Sequence, residues 1–268
     1  MLLAIDAGNT ETKLGLFADG KRELRQMWRV TTEDRRTADE FGVFLTQLFD
    51  AEGLTPNDVD AVVIASVVPN LDSTMSEACE RFFHAKPSFL KPESQTVIDV
   101  QTERPAEVGA DLVAAAIGAR EQYGQPLIVI AFGTATAFVA VSEEGAYLGT
   151  AIAPGVGISV DALIGRAAKL PQIALVAPAQ AIGRETVSSL QSGIIFGFVG
   201  QVEALIERMR AEMGGKPRVI ATGGRADVIA RHTQMIELVD PHLSLIGLHL
   251  FRETAGGYTK PMTSARVV

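Results

Sequence analysis

Two short segments rich in glycine and threonine contain the residues of this chain that are best suited to bind phosphate. The first is Asp6–Lys13 (Asp-Ala-Gly-Asn-Thr-Glu-Thr-Lys), between the apolar stretches Met1–Ile5 and Leu14–Phe17. The second is Phe132–Phe138 (Phe-Gly-Thr-Ala-Thr-Ala-Phe), directly after Leu127–Ile130. Glycine lets a backbone N–H come within bonding distance of an anion, and threonine adds a hydroxyl donor on a stiff side chain. The two segments therefore predict two phosphate-binding hairpins that face each other across a cleft.

Asp6 adds a carboxylate to the first of these segments. It follows the apolar stretch directly, at the end of a predicted strand, where a carboxylate can hold Mg²⁺ bound to a nucleotide. A single Asp-x-Gly at such a place is most often only a turn. Two similar segments, together with a third glycine pair at Gly223-Gly224, favour the phosphate-binding interpretation.

Composition excludes several other classes of function. A chain of 268 residues with 47% hydrophobic content can bury a large core and is long enough for two domains. Its net charge of −8 argues against a nucleic-acid partner, which would require a clustered basic surface. The single cysteine, Cys79, cannot form an internal disulfide, and the four histidines show no metal-ligand spacing.

The start of the chain resembles no targeting segment. Met1–Ile5 runs directly into Asp6, so we expect no signal peptide. We also expect no apolar run long enough to span a membrane. We therefore expect a cytoplasmic protein without a membrane partner.

The elements that must position the two turns follow the same order in both halves. In the first half, apolar runs predict the strands Met1–Ile5, Lys13–Phe17, Glu23–Val30, Val59–Ser66 and Ser88–Leu90, with helices around Phe41–Phe49, Leu71–Phe83 and Asp111–Tyr123. In the second half, they predict the strands Leu127–Ile130, Ala137–Val141, Gly145–Ile152 and Arg218–Thr222, with helices near Ser159–Ala168, across Thr186–Met213 and from Ala226. Such an order packs as α/β sheets with helices on both faces and ligands at the carboxyl ends of the strands.

The repeat also predicts the domain organisation. The first domain covers residues 1–117 and contains the first phosphate turn. The second covers 118–254 and contains the second phosphate turn. Residues 255–268 lack periodicity, and we expect them to fray.

The duplicated unit with a phosphate turn in each half, and Ala221-Thr222-Gly223-Gly224 late in the chain, resembles the actin-like (ribonuclease H-like) ATPase and sugar-kinase superfold. Within that superfold, the chain is similar to the type III pantothenate kinases from Met1 to about Arg252. The segments that carry the resemblance stand in the family's order. They are Asp6–Thr10, Arg36–Gly42, Ser66–Pro69, Pro105–Asp111, Phe132–Thr136, Ala151–Ser159, Arg166–Pro171 and Ile182–Gly193.

The resemblance implies transfer of the ATP γ-phosphate to the primary hydroxyl of pantothenate, the first step of coenzyme A biosynthesis, by a homodimer. It implies that Asp111 accepts the hydroxyl proton and that Asp6 holds Mg²⁺ with ATP. The implied nucleotide contacts are Asp6, Ala7, Gly8, Asn9, Thr10, Glu11, Thr12, Lys13 and Thr134. The implied pantothenate pocket includes Gly109, Ala110, Asp111, Leu112, Thr186 and Thr102.

Three positions depart from the family pattern. Ala131 stands where an aspartate usually binds a monovalent cation, K⁺ or NH₄⁺, so this side chain offers no oxygen ligand. Leu112 replaces the arginine that usually follows the catalytic aspartate, and Thr102 stands where a tyrosine usually lines the substrate site. Milder changes occur at Glu11 and Ala137.

Three functions remain open from the sequence. The first is an active type III pantothenate kinase with an altered cation requirement and a rearranged pocket. The second is a catalytically impaired homologue that binds nucleotide and acts as a regulatory or partner protein, since about 1.5–3 kcal/mol is lost with each good charged hydrogen bond. The third is a kinase for another small hydroxylated acid, because the altered residues lie at the substrate end.

Overall fold

The computed structural model describes residues 1–18, 22–167 and 169–255, which form two five-stranded sheets with helices packed around them. Apart from residue 255, which ends the last helix, the tail expected to fray lies outside the described residues. Both predicted sheets are present, so the fold is the duplicated α/β arrangement expected from the sequence.

The first sheet has the strand order β3-β2-β1-β4-β5. Strand β1 pairs antiparallel with β2 and parallel with β4, and both β1 and β4 are almost continuously buried. Both strands are therefore built of short and branched apolar residues, as is usual for strands covered on both faces. The bounds are β1 (Leu2–Ala7), β2 (Glu11–Phe17), β3 (Leu24–Thr31), β4 (Ala61–Ser66) and β5 (Ser88–Phe89).

The second sheet repeats the first. Its order is β8-β7-β6-β9-β10, with β6 antiparallel to β7 and parallel to β9. Strand β6 thus occupies the place of β1, and each is followed by a hairpin that carries one of the two Gly-Thr turns. The bounds are β6 (Leu127–Phe132), β7 (Ala135–Val141), β8 (Tyr147–Pro154), β9 (Arg218–Thr222) and β10 (Leu238–Val239).

Seven α-helices connect and cover the strands in the described part of the chain. Helix α1 begins where Thr37 and Glu40 cap each other's backbone N–H groups, and α2 begins at Pro69, whose missing N–H costs nothing at a helix start. Where a helix was predicted, its predicted and observed bounds differ by at most three residues, and those of α5 coincide. The bounds are α1 (Ala38–Ala51), α2 (Pro69–Phe82), α3 (Ala110–Tyr123), α4 (Val156–Arg166), α5 (Thr186–Met213), α6 (Ala226–Ala230) and α7 (Leu243–Ala255).

Among the α-helices of the described residues, α7 is the one that the sequence analysis did not predict. It returns from the end of the second half to pack on β1, β2 and β4 of the first sheet and, most extensively, on α3. Leu243, Leu245, Leu248 and Leu250 are all buried, so its apolar residues form no single stripe of helical period. The predicted division at residues 117 and 118 is a division of the sequence, and α7 crosses it in space.

Helices α3 and α7 approach each other as closely as backbones allow. A Cβ atom at Gly118 of α3 would lie 2.1 Å from the carbonyl oxygen of Leu243, and one at Gly247 of α7 would lie 1.8 Å from that of Ala114. Both distances are far below van der Waals contact, so only glycine fits at either position. The main core cluster surrounds this helix pair and includes residues of both sheets, such as Val63 and Val129.

Helix α5 corrects one expectation from the sequence. Its most apolar window of 18 residues has a mean hydropathy of 1.3, which by length and composition is enough to cross a membrane. A third of that window is buried inside the protein. A single helix of this kind is weak evidence for a membrane span, because core helices of soluble proteins pass the same test.

Candidate active site

The two Gly-Thr turns meet directly. The hydroxyl oxygens of Thr10 and Thr134 lie 2.8 Å apart and form a hydrogen bond between the two halves of the molecule. In the first turn the N–H of Gly8 donates to the carbonyl of Glu11 at 3.1 Å, and in the second the N–H of Gly133 donates to the carbonyl of Ala135 at 2.9 Å. The structure therefore brings the two predicted hairpins face to face.

Hydroxyl groups brace the first turn from behind. Thr32 donates its hydroxyl proton to the carbonyl of Gly8 at 2.7 Å, and its oxygen lies 2.8 Å from that of Thr12. Because the Thr32 proton is engaged by Gly8, the Thr12 hydroxyl is the donor in the second bond. Thr12, expected to contact nucleotide, is buried and supports the turn with this hydroxyl.

The Glu11 side chain forms an ion pair within the same chain. Its two carboxylate oxygens accept from Nε and Nη2 of Arg29 at 3.0 and 2.8 Å, a bidentate pair. The same guanidinium lies against Gly224 of the second half, where an added Cβ would be 2.7 Å from Nη2. This partly exposed pair therefore joins the first turn to the third glycine segment.

Asp6 is the buried charge of the first turn. It is 6% exposed, and its Oδ2 accepts from the hydroxyl of Ser244 at 2.6 Å and from Nζ of Lys13 at 3.5 Å. Lys13 is its direct neighbour across the hairpin, because Asp6 of β1 pairs with Lys13 of β2. The carboxylate is thus held by two donors at the mouth of the cleft between the turns.

Asp111 lies in the first turn of α3, near Asp6. Burial and, after it, the negative charge of Asp6 together raise the pKa of its carboxyl to about 6, while the N–H of Leu112, which donates to Oδ1 at 2.9 Å, opposes the rise. A carboxylate with a pKa near neutrality can hold or release a proton at physiological pH. A Cβ at Gly109 would lie 2.6 Å from Oδ1, so glycine at this position leaves room for the carboxylate.

A cavity of about 410 Å³ opens beside Asp111. Three of the residues predicted for the substrate pocket, Thr102, Gly109 and Leu112, line it. Ala110 is buried under the start of α3, and Thr186 is exposed at the first residue of α5, so neither lines this cavity. The hydroxyl oxygen of Thr102 is buried without a hydrogen-bond partner among the described residues.

Four further residues belong to this site, and the sequence analysis missed all of them. Arg104, Tyr147 and Thr150 line the cavity, and the Tyr147 hydroxyl forms a hydrogen bond with Thr150. Burial, together with the charge of Asp111, raises the pKa of Tyr147 to about 12, so it stays a neutral phenol. Ser244 is the fourth. Ser244 and Tyr147 stand outside the predicted motifs, whereas Arg104 directly precedes Pro105–Asp111 and Thr150 directly precedes Ala151–Ser159.

The second turn lacks charge where the first has it. Ala131 of β6 pairs with Ala137 of β7 and with Thr222 of β9. In the first sheet, Asp6 occupies the position of Ala131, and its neighbours in the same two places are Lys13 and Ala65. Gly223, at φ +97°, passes so close to Phe132 that a Cβ would lie 2.4 Å from its carbonyl oxygen. The second turn therefore offers backbone groups and hydroxyls, and no carboxylate at the place of Asp6.

The oxygen donors of the cleft suit one kind of metal site. Across residues 1–18, 22–167 and 169–255, no group of three or more His, Cys, Asp or Glu residues could hold a metal ion by itself. Mg²⁺ is typically bound by one or two carboxylates, waters and the phosphates of a nucleotide. Asp6 fits that requirement, whereas the methyl group of Ala131 provides no ligand for a monovalent cation.

Comparison with solved structures defines the fold class. The activator of 2-hydroxyisocaproyl-CoA dehydratase from Clostridium difficile, with bound ADPNP, superposes with a TM-score of 0.59 at 14% identity, covering 98% of this chain and 99% of that one. An inorganic polyphosphate/ATP-glucomannokinase from Arthrobacter sp. strain KM gives 0.50 at 14% identity over 96% and 99% of the chains. At such identities the likeness concerns the fold, which is that of the actin-like ATPases and sugar kinases.

Sequence comparison then gives the family. The model of the type III pantothenate kinases matches residues 2–208. A type III pantothenate kinase of Moorella thermoacetica is 49% identical over 253 residues, covering 94% of this chain and 99% of the relative. The chain belongs to the type III pantothenate kinase family. This result confirms the resemblance seen in the sequence, and nothing in these comparisons favours a purely regulatory homologue.

Proposed function

We propose that the protein transfers the γ-phosphate of ATP to pantothenate and forms 4'-phosphopantothenate, the first step of coenzyme A biosynthesis, in the cytoplasm. The observation that carries this proposal is the position of Asp111. It lies between Gly109 and Leu112, which line the 410 Å³ cavity, and it is close enough to Asp6 for the charge of one carboxylate to raise the pKa of the other. An acceptor in the cavity and a nucleotide on the turns would both reach this carboxylate.

Asp111 acts as the proton acceptor in this reaction. The bond between the γ-phosphorus and the bridging oxygen of ADP breaks, and a bond forms from that phosphorus to the pantothenate hydroxyl oxygen. The hydroxyl proton passes to a carboxylate oxygen of Asp111. Such a positioned base typically contributes about 10²- to 10⁴-fold to the rate.

The two turns position the triphosphate. Their backbone N–H groups and the hydroxyls of Thr10 and Thr134 donate to phosphate oxygens, and phosphoryl transfer depends mostly on such positioning and charge neutralisation. Asp6 would hold Mg²⁺, which when bound with ATP neutralises phosphate charge. Lys13, opposite Asp6 in the hairpin, adds a further positive charge.

Arg104 replaces the lost arginine in the pocket. Among the residues that line the cavity, Arg104 is the one cationic side chain, and Leu112 provides apolar surface. Arg104 now pairs with Glu107 at 3.0 Å, but both groups are largely exposed, so the pair is weak and an incoming carboxylate can displace it. We assign the pantothenate carboxylate to Arg104 and its hydroxyl end to Asp111.

A homodimer would cover the exposed face of α5. Gly193, Gly197 and Gly200 lie on one side of the helix, and a Cβ at any of them would meet no atom within 4 Å. An exposed glycine in a helix costs about 1 kcal/mol relative to alanine, so three on one face are better explained by a partner that packs closely there. Thr186, at the start of the same helix, would then reach the substrate site of the partner copy.

The test is a coupled assay of ADP release with ATP and pantothenate, with and without K⁺ or NH₄⁺. We expect pantothenate-dependent turnover that does not respond to either cation, since Ala131 cannot bind one. In Ala131→Asp we expect a cation response to appear. Absence of turnover under all these conditions would overturn the kinase and favour a nucleotide-binding regulator. Faster turnover of another hydroxy acid would reassign the substrate.

A further inference from the structure

Ser244 connects the last helix of the chain to the carboxylate of the first turn. Its hydroxyl donates to Oδ2 of Asp6 at 2.6 Å, although the two residues are 238 positions apart in the sequence. Ser244 is 4% exposed and Asp6 is 6% exposed, so water does not compete for this bond. A hydroxyl donor to a carboxylate at this distance is a short, charge-assisted hydrogen bond, among the stronger kinds found in proteins.

The other partner of Asp6 holds it less firmly. Nζ of Lys13 lies 3.5 Å from the same oxygen, and this side chain is long and more exposed, at 17%. Both donors reach Oδ2, and among the described residues no partner is recorded for Oδ1. Ser244 therefore determines which oxygen of Asp6 is engaged by the protein and which is left free.

The backbone that carries Ser244 has a fixed position. Ser244 is the second residue of α7. The carbonyl oxygen of the preceding residue, Leu243, lies against Gly118 of α3. Gly247, three residues further along α7, lies against Ala114 in the same way. The Ser244 hydroxyl is thus presented to Asp6 from the helix that packs on α3, and α3 also carries Asp111.

We propose that Ser244 is a positioning residue for nucleotide-bound Mg²⁺: its hydrogen bond to Oδ2 turns the Asp6 carboxylate so that Oδ1 faces the cleft. This inference rests on the proposed function, because it concerns the metal that accompanies ATP. Ser244 itself contacts neither nucleotide nor acceptor in this assignment. It acts only through the orientation of Asp6, and it does so from a helix that the turn motif does not include.

The experiment compares ATP binding with Mg²⁺ and with EDTA by titration calorimetry. We expect the unmodified chain to gain affinity for ATP with Mg²⁺. In Ser244→Ala we expect that gain to fall about tenfold, from the loss of one hydrogen bond to a charged group, while ATP affinity in EDTA stays unchanged. The Mg²⁺ concentration at half-maximal activity should rise by a similar factor.

Two further variants separate the hydrogen bond from packing. Ser244→Cys keeps a side chain of similar shape with a weaker donor, so it should resemble Ser244→Ala in Mg²⁺ dependence. Thr254 is on the same helix, and its hydroxyl donates to the carbonyl of Leu250. Thr254→Ala should therefore behave as the unmodified chain. Thermal melting checks that each variant folds.

The outcomes are distinct. An unchanged Mg²⁺ gain in Ser244→Ala, a normal Ser244→Cys, or equal losses of affinity with Mg²⁺ and with EDTA would each overturn the positioning role and leave the kinase in place. A chain that gains nothing from Mg²⁺ before any substitution would overturn the kinase and this inference together.

Discussion

The two phosphate turns occupy equivalent places in equivalent sheets, yet they differ in charge. At the end of β1, Asp6 faces Lys13 across the hairpin and accepts a hydrogen bond from Ser244. At the end of β6, Ala131 faces Ala137. The strand order and the pairing are the same in both sheets, so the difference lies in side chains alone.

This difference shows that duplication of the fold does not require duplication of the chemistry. A backbone hairpin can cradle phosphate wherever it recurs, because N–H groups belong to every residue. Metal binding and proton transfer need carboxylates. The two proposed carboxylates are Asp6, at the end of β1 in the first sheet, and Asp111, on α3, which packs against both sheets. In this assignment the second half contributes Thr134 and backbone groups, which position the nucleotide without adding charge.

The largest effect should come from Asp111→Asn, which removes the base and nearly preserves its shape. We expect kcat to fall by about 10²- to 10⁴-fold, measured by ADP release with saturating ATP and pantothenate. The unmodified chain should lose activity on the acid side of about pH 6, where Asp111 becomes protonated. A fall of less than a few fold would mean that Asp111 is not the base.

The same substitution should change how stability depends on pH. The pKa of Asp111 is about 6 in the folded protein, whereas its ordinary value, taken for the unfolded chain, is 3.8. The contribution of this carboxyl to stability is therefore fully present below about pH 4 and is lost as the pH rises through 6. Asparagine does not titrate. Relative to the unmodified chain, Asp111→Asn should therefore gain about 2 kcal/mol in free energy of unfolding between pH 4 and pH 7.5. Urea unfolding at both pH values measures this, and parallel pH dependence of the two proteins would contradict it.

Asp6→Asn should make the two turns alike. Loss of the carboxylate should weaken Mg²⁺-dependent ATP binding by about 10- to 100-fold. Because the charge of Asp6 raises the pKa of Asp111, the acid limb of any residual activity should also move below pH 6. Asp50→Asn, which alters an exposed carboxylate on α1, is the control and should change neither property. An unmoved acid limb would show that the two carboxylates do not interact.

The sequence was sufficient to predict the turns and nine of the ten strands in the described part of the chain, because strands and Gly-Thr hairpins are local patterns. The two-residue strand β10 was not predicted. It also indicated Asp6, Asp111 and three residues of the cavity through motifs of the family. Ser244 and Tyr147 were not predicted, since each reaches the site by tertiary packing. Arg104 was not predicted either, although it directly precedes the Pro105–Asp111 segment. Helix α7 was missed for a related reason: it is buried on most sides by tertiary packing, and Gly247 within it weakens the helical pattern.

Gly109→Ala tests the position of the Asp111 carboxylate without removing its charge. An added Cβ would lie 2.6 Å from Oδ1 of Asp111, so the carboxylate must move. We expect kcat to fall about tenfold with little change in ATP affinity, because small displacements of a reacting group are costly. Gly165→Ala is the matched control, since a Cβ there meets nothing within 4 Å. Equal activity of the two variants would mean that Asp111 tolerates displacement.

The smallest expected effect concerns the one place where the two turns touch. The hydrogen bond between Thr10 and Thr134 is exposed, so a double-mutant cycle with both alanine variants should give a coupling of about 0.5–1 kcal/mol in the free energy of unfolding. Thr233, which bonds to Glu203 in the second half, provides the control: Thr10→Ala with Thr233→Ala should be additive. The coupling should vanish when ATP is bound, because a triphosphate held by both hydroxyls replaces their mutual bond. A coupling that persists with ATP would mean that the turns stay in contact and that the phosphates bind elsewhere.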